Sequence, residues 1–210
     1  MAVADARLYL VSPAVLPAGP LAALVPDLGA AGVDLIQLRE KDMEAGDLLR
    51  AGRPVADACR GAGVSFVVND RPDVALALDA GVHLGQNDLP VAVARRILGG
   101  AVIGVSTHSR DEIDDALAAT EPIDYIAVGP VYATPTKPGR PAVGPELLRY
   151  AAEKLSLPWF AIGGINSSNL ADVLNAGARR IVVVRAITDA PDPAAAAAEL
   201  RAELDHVPLQ

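Results

Sequence analysis

Short apolar runs rich in Val and Ile alternate along the chain with longer Ala-rich stretches, and this alternation constrains the fold more than any other feature. Such runs are typical of buried parallel strands, whereas the Ala-rich stretches have the length and spacing of helices. The pattern predicts eight strands, at residues 7–11, 33–39, 64–68, 82–84, 102–105, 125–128, 159–162 and 181–184. It predicts helices at residues 21–30, 45–61, 91–98, 111–119, 145–154, 168–176 and 193–204.

Gly follows several predicted helices just before a strand, as in Ala62-Gly63 and Ala176-Gly177, where it adopts the left-handed cap conformation most readily. Because the strand-helix unit recurs throughout, we predict an α/β fold, a single (β/α)8 TIM barrel domain over residues 1–210, rather than an open sheet of six strands. Residues 72–79 are short for a helix. Pro54 predicts a kink or a new helical start within the second helix.

Composition narrows the class of protein. Hydrophobic residues make up 51% of the sequence and aromatic residues 3%, so Ala, Val, Leu and Ile should fill the core. The net charge of −8 argues against nucleic acid and anionic membranes as partners, because both select basic surfaces. The single cysteine, Cys59, predicts a core residue in a reducing cytoplasm, and no segment reaches the roughly 20 apolar residues that span a bilayer. The sequence leaves open whether the protein is a monomer or a homodimer.

The strongest local signal is the run Gln37-Leu38-Arg39-Glu40-Lys41 at the end of the second strand. Residues two apart in a strand share a face, so Gln37, Arg39 and Lys41 should project together. Two cations facing a barrel mouth are costly without an anion, which predicts an anionic ligand. The alternative is a solvated strand end with Glu40 paired to a neighbouring cation.

Carboxylates follow the third and fourth strands. Asn69-Asp70 comes directly after one strand, and Gly85-Gln86-Asn87-Asp88 follows the next. Consecutive strands end near each other on one rim, and hard oxygen ligands suit Mg²⁺ when phosphate oxygens and water complete the octahedron. Taken singly, Asp residues at positions such as 70 and 88 are more often helix N-caps than metal ligands.

Hydroxyl groups and a further cation follow the fifth and sixth strands. Ser106-Thr107-His108 offers either helix-capping hydroxyls or ligand contacts, and His108 is either a rim residue or a catalytic base. The connection over residues 129–141 has little regular pattern, which predicts a lid or a ligand clamp. Its Thr134, Thr136 and Lys137 would close over an anion, although composition alone favours an ordinary solvated loop. His83 and His206 give no chemical signal.

The last two strands end in residues suited to phosphate. Gly163-Gly164 follows the seventh strand, and Val184-Arg185 follows the eighth. Loops after strands seven and eight form the phosphate site of many barrels, where backbone N–H groups approach the anion. One anion site on strands two to four and another on strands seven and eight predict two phosphorylated groups.

Together these motifs identify a family. In chain order they are Gln-Leu-Arg-Glu-Lys, Asn-Asp, His-Leu-Gly-Gln-x-Asp, Gly-Val-Ser-x-His, Gly-Pro-Val-Tyr-x-Thr-x-Thr-Lys and Ile-Gly-Gly-Ile. Over nearly the whole chain they resemble the thiamine-phosphate synthases. The resemblance implies a Mg²⁺-dependent transferase that joins hydroxymethylpyrimidine diphosphate to a thiazole phosphate, giving thiamine phosphate and diphosphate.

The resemblance also implies residue roles. Gln37 would bind the pyrimidine, Ser106 would lie near the reacting methylene, and Asp70 and Asp88 would hold Mg²⁺. Diphosphate binding is implied for basic and amide side chains, namely Arg39, Lys41, Asn69 and Lys137. Thiazole phosphate binding is implied for Thr134, Thr136, Gly164 and the backbone at Val184 and Arg185. Arg185 departs from the Ser expected there.

The implied mechanism is a dissociative one, with electrostatic rather than covalent catalysis. Arg39, Lys41, Lys137 and the metal would stabilise the leaving diphosphate while the pyrimidine ring carries the cation. Two alternatives share parts of this pattern. A thiazole tautomerase carries a His where this chain has Pro130, and a non-catalytic barrel that senses a phosphorylated metabolite would not need Asp70, Asp88 and Lys137 together.

Overall fold

The computed structural model describes residues 3–134 and 141–209, and within them eight parallel strands close into a barrel. We number the strands β1 (Leu8–Ser12), β2 (Leu35–Leu38), β3 (Ser65–Asn69), β4 (Gly81–Leu84), β5 (Ile103–Thr107), β6 (Tyr125–Val128), β7 (Trp159–Ile162) and β8 (Ile181–Val183). Neighbours in sequence are neighbours in the barrel. Strand β1 closes the ring, because it pairs with both β2 and β8.

Helices connect the strands on the outside of the barrel. They are α1 (Leu21–Ala30), α2 (Ala45–Ala62), α3 (Pro72–Ala77), α4 (Val91–Leu98), α5 (Arg110–Ala118), α6 (Gly144–Lys154), α7 (Leu170–Asn175), α8 (Arg185–Thr188) and α9 (Pro193–Asp205). In the described part of the chain, no helix combines the length and apolar character needed to cross a bilayer.

The predicted barrel is confirmed, and every predicted strand and helix is present with ends that differ by two residues at most. Residues 72–77 do form a helix, in spite of their short length. Pro54 does not begin a new helix, because α2 continues through it. The pattern missed α8 and a two-stranded hairpin at Val15–Leu16 and Gly19–Pro20.

The core has two parts, which follow from the alternation of side chains along each strand. Leu8 and Leu10 of β1 face outward into the layer between barrel and helices, whereas Tyr9 and Val11 face the barrel interior. Aliphatic residues fill most of the outer layer, as predicted, and Cys59 is one of its buried residues. Aliphatic residues are also the majority in the interior cluster, and three aromatic rings lie among them.

The three aromatic rings of this interior cluster pack together, although aromatic residues are rare in the chain. The rings of Tyr9, Tyr125 and Phe160 meet edge to face, with centroids 5.5–5.7 Å apart. Edge-to-face contacts add to the stability gained by burying large rings. The three rings therefore form a firm base below the carboxyl ends of the strands.

At the opposite end of the barrel, Asp34 ties the last helix to the first two strands. Its Oδ2 accepts hydrogen bonds from the backbone N–H groups of Arg7 (2.6 Å) and Leu8 (3.1 Å). Arg201 of α9 donates from Nη1 to both carboxylate oxygens at 3.0 Å. Asp34 is only 8% exposed, so water cannot readily replace these contacts.

We predict that Asp34→Ala lowers the free energy of unfolding by about 2–3 kcal/mol, because two buried N–H groups and a guanidinium lose their acceptor. The measurement is urea denaturation followed by circular dichroism. Asp57→Ala is the matched control, since Asp57 makes an exposed ion pair with Arg60 in α2 and should contribute about 0.5 kcal/mol or less. Equal losses for the two variants would contradict this account of Asp34.

Candidate active site

A cavity of about 400 Å³ opens at the carboxyl ends of strands β2 to β5. Parallel strands in a barrel all end on the same rim, so residues distant in sequence meet there. Eight of the residues predicted to bind ligand or metal line this cavity, namely Gln37, Arg39, Lys41, Asn69, Asp70, Asp88, Ser106 and Val184. The structure therefore brings together the side chains expected from strands two to five.

The end of β2 follows the predicted alternation. Gln37, Arg39 and Lys41 line the cavity, whereas Leu38 is buried in the outer layer. Glu40 also points away, and its Oε1 accepts a hydrogen bond of 2.7 Å from the backbone N–H of Ala14. Within residues 3–134 and 141–209 no ion pair joins Glu40 to a cation, and Arg39 and Lys41 line the cavity instead.

Asp70 and Asp88 do not act as helix caps, because neither α3 nor α4 has a side-chain cap at its N-terminus. Asp70 has a left-handed backbone conformation with φ of 62°. Asp88 Oδ2 accepts a 2.7 Å hydrogen bond from the backbone N–H of Gly85, which closes the turn after β4. The capping interpretation of these carboxylates is wrong.

The two carboxylates influence each other strongly. Burial, a hydrogen bond with Asp88 and the negative charge of Asp88 raise the pKa of Asp70 to about 6, against opposing effects of Lys41 and Asn69. An upward shift of the pKa is expected where two carboxyl groups lie together in a partly desolvated site. Near neutral pH the pair therefore favours a bound proton or cation.

Ser106 at the end of β5 turns its hydroxyl toward His83 rather than toward the following helix. Ser106 Oγ lies 2.8 Å from His83 Nε2, and the hydroxyl of Thr107 donates to the carbonyl of Ala127. Helix α5 is capped instead by Ser109, whose hydroxyl accepts from the backbone N–H of Glu112. The capping interpretation of Ser106 and Thr107 is therefore wrong.

A second cavity, of about 300 Å³, adjoins the first at the ends of β6, β7 and β8. Thr134, Gly164, Val184 and Arg185 line it, as the prediction of a second anion site requires. The predicted residues Thr136 and Lys137 lie outside the described residues. Four residues line both cavities, namely His108, Ile162, Val182 and Val184, so ligands in the two would be in contact.

His108 stands at the boundary between the two cavities. Its ring Nδ1 donates to the carbonyl of Gly129, and its backbone N–H donates to Glu112 Oε2 at 2.6 Å. A ring nitrogen that donates to a carbonyl must carry the proton, so the neutral ring has its lone pair on Nε2. The structure therefore places His108 inside the site and not on an outer rim.

Close packing requires glycine at position 164, in addition to the predicted approach of its backbone to a phosphate. Its φ is +67°, and a Cβ there would lie 2.8 Å from Cβ of Tyr132. The backbone N–H of Tyr132 donates to the carbonyl of the adjacent Gly163 at 3.0 Å. The glycines thus allow the loop after β6 to cross the end of β7 closely, which shapes the wall of the second cavity.

Sequence reasoning missed His83, which is buried and lines the first cavity. The signal was the alternation within β4, because Val82 and Leu84 are apolar outer-layer residues and His83 between them must face inward. Among the described residues, no three His, Cys, Asp or Glu side chains gather as metal ligands. A metal here would therefore depend on Asp70, Asp88 and oxygens of a ligand.

Comparison with known proteins shows the family of this chain. Residues 8–187 match the family model described as thiamine monophosphate synthase. The chain is 54% identical to the thiamine-phosphate synthase of Acidothermus cellulolyticus over 204 residues, covering 96% of both chains. It is also 54% identical to the thiamine-phosphate synthase of Streptomyces avermitilis over 206 residues, covering 97% of this chain and 95% of the relative.

Solved structures show the same relationship. The thiamine phosphate pyrophosphorylase of Pyrococcus furiosus superposes with a TM-score of 0.87 at 33% identity, covering 97% of this chain and 98% of that one. The orotidine 5′-phosphate decarboxylase of Pyrococcus horikoshii superposes with a TM-score of 0.65 at 17% identity, covering 95% of this chain and 100% of that one, which shows a shared fold alone. With its barrel, its two adjoining cavities and these relatives, the chain belongs to the thiamine-phosphate synthase family.

Proposed function

We propose that this thiamine-phosphate synthase uses Mg²⁺ to join 4-amino-2-methyl-5-hydroxymethylpyrimidine diphosphate to 4-methyl-5-(2-phosphoethyl)thiazole, and that it releases diphosphate. The observation that carries the proposal is the first cavity, where Arg39 and Lys41 face the carboxylates Asp70 and Asp88. Cationic side chains alone would bind a simple anion, and carboxylates alone would bind a simple cation. Both together suit a diphosphate that arrives with a divalent metal.

The carboxylate pair fits Mg²⁺. Hard oxygen ligands are what this ion prefers, and it commonly takes one or two protein carboxylates together with phosphate oxygens and water. The raised pKa of Asp70 supports this fit, because a partly buried carboxylate next to a second carboxyl group would be stabilised by a cation. When bound, the metal would supply positive charge next to the leaving diphosphate.

The remaining parts of the first cavity suit the pyrimidine diphosphate. Arg39, Lys41 and Asn69 bind the diphosphate and stabilise the negative charge that grows on it as the bond from the methylene carbon to oxygen breaks. Lys137 is assigned the same role, by resemblance. Gln37 binds the pyrimidine ring, and Ser106 lies near the methylene. Apolar side chains such as Val11 and Ala127 also line the cavity and exclude water, which would otherwise capture the ring cation.

The second cavity suits the thiazole phosphate. Thr134, Gly164 and the backbone at Val184 and Arg185 hold its phosphate, and Thr136 is assigned the same role by resemblance. The wall that the two cavities share brings the thiazole nitrogen to the cation formed in the first cavity. No protein nucleophile is required. Pro130 lines this cavity where the tautomerases carry a His, so the chain lacks the group that would favour an isomerase there.

We propose that the enzyme works in the cytoplasm. Cys59 is 1% exposed, and burial raises the pKa of its thiol to about 12, so it is an inert core residue with no role in disulfide chemistry. This use of cysteine fits a reducing compartment.

We predict that the purified protein, given both substrates and Mg²⁺, forms one diphosphate for each thiamine phosphate. The thiamine phosphate is measured as fluorescent thiochrome after oxidation, and the diphosphate by a coupled assay. Removing Mg²⁺ with EDTA should abolish both products, and added Mg²⁺ should restore them. An undiminished rate in EDTA would overturn the metal requirement, and no product from folded protein would overturn the proposed chemistry.

We predict that Asp70→Asn stabilises the metal-free protein at pH 8. The folded-state pKa of about 6 lies above the ordinary value of 3.8, so the contribution of Asp70 to stability is fully present below pH 3.8 and is lost as pH rises through 6. Asn removes this penalty and tolerates the left-handed backbone. Because the carboxyl is partly open to solvent, we expect a gain of about 1 kcal/mol at pH 8 and none at pH 4.

Urea denaturation in EDTA at the two pH values measures this difference. Asp79→Asn is the matched control, because Asp79 is also a left-handed Asp, with φ of 53°, and lies away from the cavity lining. A gain of equal size at pH 4 and pH 8, or an equal gain in the control variant, would contradict a stability cost of ionised Asp70.

A further inference from the structure

Five side chains form a continuous hydrogen-bonded chain across the barrel interior. Gln37 Nε2 donates to the hydroxyl of Tyr9, and the hydroxyls of Tyr9 and Tyr125 lie 2.9 Å apart. The hydroxyl of Tyr125 lies 3.0 Å from His83 Nδ1, and His83 Nε2 lies 2.8 Å from Ser106 Oγ. Both ends of the chain, Gln37 and Ser106, line the first cavity.

Each middle member of this chain has a single hydrogen to donate. A tyrosine hydroxyl has one, and a neutral imidazole has one N–H. Burial raises the pKa of both tyrosines, so they stay protonated. Tyr9 is 0% exposed, and leaving its hydroxyl hydrogen unpaired there would be costly. A donor at one end, together with the pairing of every buried hydroxyl hydrogen, therefore fixes the direction of every following bond.

Starting from Gln37, only one order is consistent. Because the Gln37 amide donates to Tyr9, the hydroxyl of Tyr9 donates to Tyr125, and Tyr125 donates to His83 Nδ1. The proton of His83 is then on Nε2, which donates to Ser106. Ser106 receives that bond and keeps its own hydrogen for the cavity, while Gln37 keeps its carbonyl oxygen Oε1 for the cavity.

The two cationic side chains that follow β2 favour the order from Gln37 to Ser106. Arg39 and Lys41 line the same cavity as Gln37, and their positive charges favour the carbonyl end of the amide on that side. The opposite order would turn the amide N–H₂ group toward the cations and leave Ser106 as an acceptor.

We propose that this chain is ordered from Gln37 to Ser106, and that Tyr9, Tyr125 and His83 are positioning residues that hold Gln37 as an acceptor and Ser106 as a donor toward the pyrimidine. The proposal rests on the proposed binding of the aminopyrimidine in this cavity. The amino group of that ring is a donor and meets the Gln37 carbonyl. An oxo-pyrimidine carries an acceptor there, so the ordered chain selects the amino form.

Packing holds the chain in place. The Tyr125 ring stacks on His83 at 5.6 Å between centroids, and edge-to-face contacts with Tyr9 and Phe160 support it from the other side. Gly104 leaves the space that the ring occupies, because a Cβ there would lie 2.0 Å from Cζ of Tyr125. Gln86 Nε2 donates to the backbone carbonyl of Ser106 at 2.6 Å and fixes that end.

The test reads the tautomer of His83 by NMR of protein labelled with ¹⁵N-histidine, with the His83 signals assigned from their loss in His83→Gln. In the wild type we expect the proton on Nε2. Gln37→Glu places an acceptor at the start of the chain, so every bond should reverse and the His83 proton should move to Nδ1. Tyr9→Phe combined with Gln37→Glu breaks the connection and should return the proton to Nε2.

Asn87→Asp is the matched control, because it adds the same charge to the same cavity at a residue outside the chain and should leave the tautomer unchanged. A wild-type proton on Nδ1, a doubly protonated ring, or no change in Gln37→Glu would overturn the ordered chain.

Kinetics supply a second readout. Tyr9→Phe should raise the KM for the pyrimidine diphosphate about tenfold, as expected for one hydrogen bond, and leave the KM for the thiazole phosphate unchanged. Tyr150→Phe, which removes a surface hydroxyl bonded to Asp114, should change neither. Equal effects on both substrates would overturn the positioning role. The tautomer measurement needs no turnover. If the His83 proton moves to Nδ1 in Gln37→Glu but the wild-type protein makes no thiamine phosphate, the ordered chain is supported and the proposed chemistry is rejected.

Discussion

The burial of the Asp70 carboxyl next to Asp88 is the constraint on which the active site depends. Burial and the neighbouring carboxyl raise the pKa of Asp70 to about 6, so the pair is unfavourable near neutral pH unless a proton or cation joins it. The fold imposes this arrangement, because β3 and β4 are adjacent parallel strands and their following residues meet on one rim. Arg39 and Lys41 line the same cavity, where they would hold an anion that arrives with a metal.

Much of this arrangement could be predicted from sequence, because two simple periodicities govern it. Alternation along β2 places Gln37, Arg39 and Lys41 on one face, and the structure has them in one cavity. The order of strands predicts which loops share a rim, so Gly164 and Arg185 could be assigned to a second site next to the first. Neither inference needs the distance between any two atoms. Both need only the direction of a side chain and the position of its strand in the barrel.

Features that depend on cross-barrel contacts could not be predicted. The hydroxyls of Tyr9 and Tyr125 form a hydrogen bond although 116 residues separate them, and no local sequence pattern predicts this contact. A single polar residue in an apolar strand, such as His83, resembles a core histidine. Its hydrogen bonds to Tyr125 and Ser106 join other strands and leave no local pattern in the sequence. The capping interpretation of Asp88 failed for a related reason, since the partner of its Oδ2 is set by the shape of the turn after β4.

The most direct test of the central claim is a calorimetric titration of diphosphate into the protein at pH 8, with and without Mg²⁺. The account predicts that Mg²⁺ tightens diphosphate binding at least about tenfold, which is about 1.4 kcal/mol, because each ion compensates charges that the other leaves exposed. Asp88→Asn should lose this coupling while its circular dichroism stays unchanged. Equal diphosphate affinity with and without Mg²⁺ in the wild type would contradict the account.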